Sequence, residues 1–90
     1  INALRERANA PLVSESDIDL DFILDERSRE LFGEEERRYS LLRTGTWLTR
    51  TRLHNKIAGP NVTERDILLP IPQDVIDANI STPMQQNPGY

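Results

Sequence analysis

A chain of 90 residues and 10.3 kDa with a formal net charge of −4 is the size of one small domain or part of a larger one, which excludes a multidomain assembly. At 37% apolar and 29% charged residues, with a mean hydropathy of −0.58, it lies above the disordered range but can build only a thin core. Zero cysteines exclude a disulfide framework and a Cys-ligated metal centre, and apolar runs of no more than three residues exclude a membrane-spanning helix, which needs about 20.

Ile1, Leu4 and Ala8 follow a three-then-four spacing with charged residues between them, which predicts a helix over about residues 1 to 9. No Ser, Thr, Asp or Asn precedes Ile1 as a cap, so the helix is expected to continue from upstream sequence, and the chain reads as a C-terminal fragment. Ala10-Pro11 closes this helix, because a residue before proline is pushed out of helical geometry. After a loop from Pro11 to Glu15, Ser14 with Asp17 and Ser16 with Asp19 offer caps for a long helix.

That helix is predicted over about 16 to 44, with a kink or break near Gly33 and a stop at Thr44-Gly45. Leu20, Ile23, Leu24, Leu31 and Phe32 form its apolar stripe, each side chain contributing about 1.5 to 3 kcal/mol if fully buried. Asp25 with Arg29 and Glu34 with Arg38 are acid-first pairs four residues apart. A third helix is expected over 47 to 55, ended by Ala58-Gly59-Pro60 with glycine at the cap. Ile67 to Ile71 reads as a short extended segment bounded by prolines, and Pro72 opens a last helix over 73 to 78. The stretch from Ser81 to Tyr90 has no periodicity and belongs on a surface.

Charge is blocked along the chain. Residues 1 to 36 carry four Arg against eleven acids, a balance of −7; residues 37 to 56 carry six basic residues and no acid, +6; the remainder carries one Arg against four acids, −3. The basic block, Arg37, Arg38, Arg43, Arg50, Arg52 and Lys56, is read as paired with the acid-rich helix before it rather than as a nucleic-acid patch, because the whole chain is acidic. Ten of the eleven basic residues are Arg, the side chain suited to fixed bidentate pairing.

Catalytic chemistry finds little support. Glu34, Glu35 and Glu36 are consecutive and point in different directions on a helix, so they make no converging acid pair. His54 is the single histidine and has no partner for a zinc site or a nucleophilic dyad. Trp47 is read as core rather than as a sugar-stacking ring. Asn61-Val62-Thr63 and Asn79-Ile80-Ser81 match a glycosylation acceptor pattern that matters only in a compartment with the machinery, and coincidence is the favoured reading.

Asp25 to Glu34 followed by Arg38-Tyr39-Ser40-Leu41-Leu42-Arg43-Thr44-Gly45 resembles the central helix of RagB/SusD-like proteins. Thr63 to Pro72 and Gln86-Asn87-Pro88-Gly89-Tyr90 resemble that family's closing segments, and Ile1 to Ala8 is similar to the helix before them. The family often has Asp where Ser40 stands and Gly near Glu35 or Glu36, so the arginine pairing here must differ.

The resemblance implies a mainly α fold, with residues 1–90 the C-terminal helical part of a SusD-like, tetratricopeptide-containing scaffold. It implies a non-enzymatic, lipid-anchored nutrient-binding protein on the outer face of the Bacteroidetes outer membrane. Such a protein caps a SusC-like TonB-dependent transporter and passes it oligosaccharides or, in some members, peptides; the anchor would lie in missing upstream sequence. No cofactor and no nucleic acid is expected, and ligand contacts come mainly from upstream loops. Arg27, Glu30, Arg38 and Arg43 are the expected structural ion-pair network, holding the helix ends against the Ile67 to Ile71 segment. The alternative is a small intracellular helical adaptor whose apolar stripe docks a partner helix.

Overall fold

The computed structural model describes residues 1–90 and contains five α-helices and no strand. They are α1 (Asn2–Arg7), α2 (Leu20–Glu30), α3 (Arg37–Arg43), α4 (Trp47–His54) and α5 (Gln73–Ala78), with single 3₁₀ turns at Glu15–Asp17 and Glu64–Ile67. The chain divides into two units, Ile1–Tyr39 and Ser40–Tyr90, with the boundary inside α3.

In the first unit, α1 ends at a residue the sequence reading passed over. Asn9 takes a left-handed conformation with φ of 52°. The Asn9 N–H then donates to the Glu6 carbonyl at 3.0 Å and the Ala10 N–H to the Arg5 carbonyl at 2.8 Å, the paired bonds of a Schellman stop. Asparagine tolerates this conformation because its short side chain can bond locally, so the helix has ended before Pro11 acts. The loop that follows is tied back by Asn2, whose amide donates to the Val13 carbonyl at 3.0 Å and accepts from the Val13 N–H at 3.1 Å.

The second helix starts later than predicted. Asp19, and neither Ser14 nor Ser16, caps α2: its carboxylate accepts from the Phe22 N–H at 2.7 Å. The two serine hydroxyls instead bond each other at 2.8 Å. The predicted helix over 16 to 44 is two helices, so of the kink or break expected near Gly33 the structure has the break. Gly33 has φ of +79°, a left-handed residue that no right-handed helix can pass through, and the Glu34 and Glu35 amides close onto the Leu31 carbonyl instead.

The break changes which apolar side chains are covered. Of the predicted stripe, Leu24 is 2% exposed and Leu31 is half-buried, whereas Leu20 and Ile23 are exposed and Phe32 is 89% exposed. Phe32 lies beyond the end of α2, so the stripe's period no longer carries it to the helix's inner face.

The second unit opens with the end of α3, where Leu41 is buried. Here the predicted stop is found where expected. Gly45 has φ of +69°, its N–H donates to the Leu42 carbonyl at 3.0 Å, and the Thr46 N–H reaches the Leu41 carbonyl at 2.9 Å. Helix α4 follows at once, with Trp47 half-buried and Arg50 buried. Its end differs from the prediction, because Asn55 rather than Gly59 closes it. The Asn55 side-chain oxygen accepts from the Ile57 and Ala58 amides at 3.1 and 2.8 Å. Gly59 has no left-handed φ; it is buried against the carbonyls of Thr51, Arg52 and Asn55.

The predicted extended stretch begins one residue late. Ile67 closes the 3₁₀ turn, and the extended backbone starts at Leu68, with φ of −101° and ψ of 150°.

Candidate functional site

Within the first unit, α1 and α2 are linked through Glu26. Arg5 Nη1 donates to both carboxylate oxygens, at 3.1 and 2.9 Å, and Arg29 donates to Oε2 from Nε at 3.1 Å and from Nη2 at 2.7 Å. The Arg5 and Glu26 side chains are only 15% and 14% exposed, which strengthens their attraction relative to that of an open surface pair. Arg5 also donates from Nε to the Pro11 carbonyl at 2.5 Å, and its guanidinium lies 5.8 Å from the centre of the Phe22 ring. One turn further along α2, Glu30 pairs with Arg7, two residues beyond Arg5.

Two open grooves flank this cluster. One of about 450 Å³ is lined by Leu4, Arg5, Ala8, Phe22, Glu26 and Arg29 among others. The other, about 330 Å³, has Ile1, Leu4, Ile23 and Leu31 as its apolar lining. The charged residues that line them already hold ion-pair partners, so the arrangement is one of fastening.

Glu26 is held below its ordinary value of 4.5, first by the Arg29 hydrogen bond; partial burial pulls the other way, and Arg5 adds to the lowering. A carboxylate kept ionised in this way has no proton to give near neutrality. The folded value lies below the unfolded one, so the contribution of Glu26 to stability is present above about pH 4.5 and is lost as the pH falls through the lower, folded value. Glu26→Gln is therefore expected to lower stability at neutral pH and to flatten its decline on acidification below 4.5. Urea unfolding across that range checks this; an acid limb as steep as that of the unaltered protein would remove Glu26 as its source.

The four residues predicted as one ion-pair network have separate settings. Arg27 donates to Glu35 Oε1 from Nε at 3.2 Å and from Nη2 at 2.7 Å, across the turn that Gly33 makes. Glu30 takes Arg7. Arg38 lies half-buried on α3, and Arg43 is exposed in the last turn of that helix, in the second unit. Arg29 goes to Glu26, three residues before it, instead of to Asp25.

Of the three consecutive acids, Glu35 is half-buried among Arg27 and Arg37, while Glu34 and Glu36 are exposed. His54 ends α4 on the surface. No group of three or more His, Cys, Asp or Glu is gathered as metal ligands would be, and no helix is long and apolar enough to cross a membrane.

The second unit contains an assembly in the surface stretch from Ser81 to Tyr90, where periodicity predicts no element. Gln86 reads the backbone of Ile71 from both sides, accepting from its N–H at 2.7 Å and donating to its carbonyl at 2.8 Å. Asn87 donates to the Leu69 carbonyl at 2.6 Å, and the Tyr90 hydroxyl to the Leu68 carbonyl at 3.1 Å. The Arg65 guanidinium lies 4.7 Å from the centre of the Tyr90 ring. Beside it, Asp66 accepts from the Thr63 N–H at 2.8 Å and the Thr63 hydroxyl at 3.0 Å, and these bonds lower its pKa. The signal for this assembly was present in the sequence as two adjacent side-chain amides followed by Pro88-Gly89, a turn that can bring them back onto the extended stretch.

Neither the curated proteins nor the solved structures give a match to this chain. The family model described as the SusD family matches residues 1–90, the whole of the chain. A helical structure without strands agrees with the mainly α scaffold of that family. By this match the chain belongs to the SusD family.

Proposed function

We propose that this chain is the helical scaffold part of a nutrient-binding lipoprotein on the outer face of the outer membrane, where the whole protein caps a SusC-like TonB-dependent transporter and takes oligosaccharides. The SusD family is one of cell-surface nutrient- and glycan-binding proteins rather than enzymes, and the family match over residues 1–90 is the observation that carries the proposal. The side-chain chemistry is consistent with it. The charged groups around Glu26 are bound to one another, and Gln86, Asn87 and Tyr90 are spent on backbone. In this reading these residues hold a framework and the ligand is met elsewhere in the protein. In the same reading Arg27, paired with Glu35, and Glu30, paired with Arg7, fasten the helix ends, and Arg38 and Arg43 serve that framework from α3.

The test uses the whole protein that carries this chain. Calorimetric titration with a panel of soluble oligosaccharides and peptides is expected to give saturable binding with no product released. Purification from outer membranes is expected to bring a large TonB-dependent transporter with it. A protein that binds none of the panel and purifies without a transporter would overturn the proposal, and recovery from the cytosol with a helical partner would favour the adaptor.

A further inference from the structure

Leu68 is extended backbone, Leu69 and Ile71 each precede a proline that keeps them out of helical geometry, and no strand lies beside this stretch. Pro70 and Pro72 have no N–H, so this edge has few donors, and the Ile71 amide is satisfied by a side chain. Four of its backbone groups, the Ile71 N–H and the Leu68, Leu69 and Ile71 carbonyls, are taken by Gln86, Asn87 and Tyr90. Side chains thus do what a pairing strand would do.

The two ends of the 86–90 segment are joined through one residue. Gly89 has φ of +91°, which turns the chain back so that the Tyr90 N–H bonds the Asn87 carbonyl at 3.3 Å and the ring comes to Arg65. A Cβ at Gly89 would stand 2.6 Å from Arg65 Cγ and 2.8 Å from Cδ, so the turn and the ring contact occupy the same space.

We infer that Gln86–Tyr90 is a strap that latches and releases as one unit over the Leu68–Ile71 edge, with the Gly89 turn coupling its amide end to its aromatic end. Closed, it shields the edge; released, it exposes all four backbone groups together.

Amide hydrogen exchange on the whole protein tests this. Gln86→Ala removes the acceptor of the Ile71 N–H directly and is expected to speed exchange at that amide. Gly89→Ala and Tyr90→Ala touch neither Ile71 nor Gln86, yet each is expected to raise Ile71 exchange about tenfold or more. The Arg50 amide, bonded to the Thr46 carbonyl in α4, serves as the reference and is expected to hold its rate. Ile71 exchange that responds to Gln86→Ala alone would overturn the inference, because the contacts would then be independent. Equal acceleration at Arg50 would also overturn it, since the segment would then open only with the unit as a whole.

Discussion

Truncating Leu24 to alanine is expected to cost about 2 to 5 kcal/mol in the protein that carries this chain, while Phe32→Ala changes stability by less than about 0.5 kcal/mol. The two side chains were equals in the sequence stripe, and the structure separates them. Leu24 is 2% exposed, the most completely buried large side chain, so its loss removes transfer energy and leaves a cavity. Phe32 is 89% exposed beyond the end of α2, so its loss leaves almost nothing unfilled. Chemical denaturation of both variants decides the matter, with the midpoint reporting stability at constant slope. A Leu24→Ala cost under about 0.5 kcal/mol would contradict the burial assigned to that helix face.

Gly59→Ala is expected to destabilise by about 1 to 3 kcal/mol, and Gly59→Asn by at least as much. An added Cβ would stand 2.5 Å from the Asn55 carbonyl oxygen, 2.9 Å from that of Arg52 and 3.0 Å from that of Thr51. These are backbone atoms closing the end of α4 and cannot swing aside as a long side chain would; the Asn55 carbonyl is also bonded to the Gly59 N–H at 2.7 Å. Gly45 provides the contrast. Its φ is +69° and nothing lies within 4 Å of its Cβ position, so the cost there is conformational strain alone. Asparagine, which tolerates the left-handed region, is expected to recover part of the loss caused by Gly45→Ala and none of that caused by Gly59→Ala. Thermal or urea unfolding of the four variants reads this pattern; recovery by asparagine at Gly59 would mean that its requirement is one of φ and not of space.

The same two glycines mark how far local sequence carried. Thr44-Gly45 was legible as a helix stop because a left-handed glycine and its two bonds to Leu41 and Leu42 lie within six residues. Gly59 was legible as special, but for the wrong reason, since its need for space comes from carbonyls that approach it only once α4 has formed. A kink or break was legible at Gly33, and the positive φ there makes it a full break, a six-residue interval between Glu30 and Arg37. The late start of α2 is similar: Ser14 and Ser16 were the expected caps, and the cap is instead Asp19, whose carboxylate reaches the Phe22 amide.

The candidate site was less legible than the fold. The acid-rich segment was expected to pair with the basic block of residues 37 to 56, and Arg37 with Glu35 is of that kind, but Arg5 with Glu26 and Arg7 with Glu30 draw on α1 and join residues 21 and 23 positions apart. Spacing rules reach three or four positions along one helix and say nothing of a partner on another. The tail assembly, with separations of 15 to 22 residues, lay beyond them for the same reason.

From the order of residues alone came the helical class, the stop at Gly45, the last helix after Pro72 and the likeness to SusD proteins. Each rests on backbone sterics, hydrogen bonds or a motif within a few consecutive residues. Which apolar face is covered, which carboxylate receives Arg5, and that Gln86–Tyr90 lies against Leu68–Ile71 were settled by tertiary structure. Those contacts arise only when the path of the chain brings distant segments together, and that path is the joint result of every turn along it.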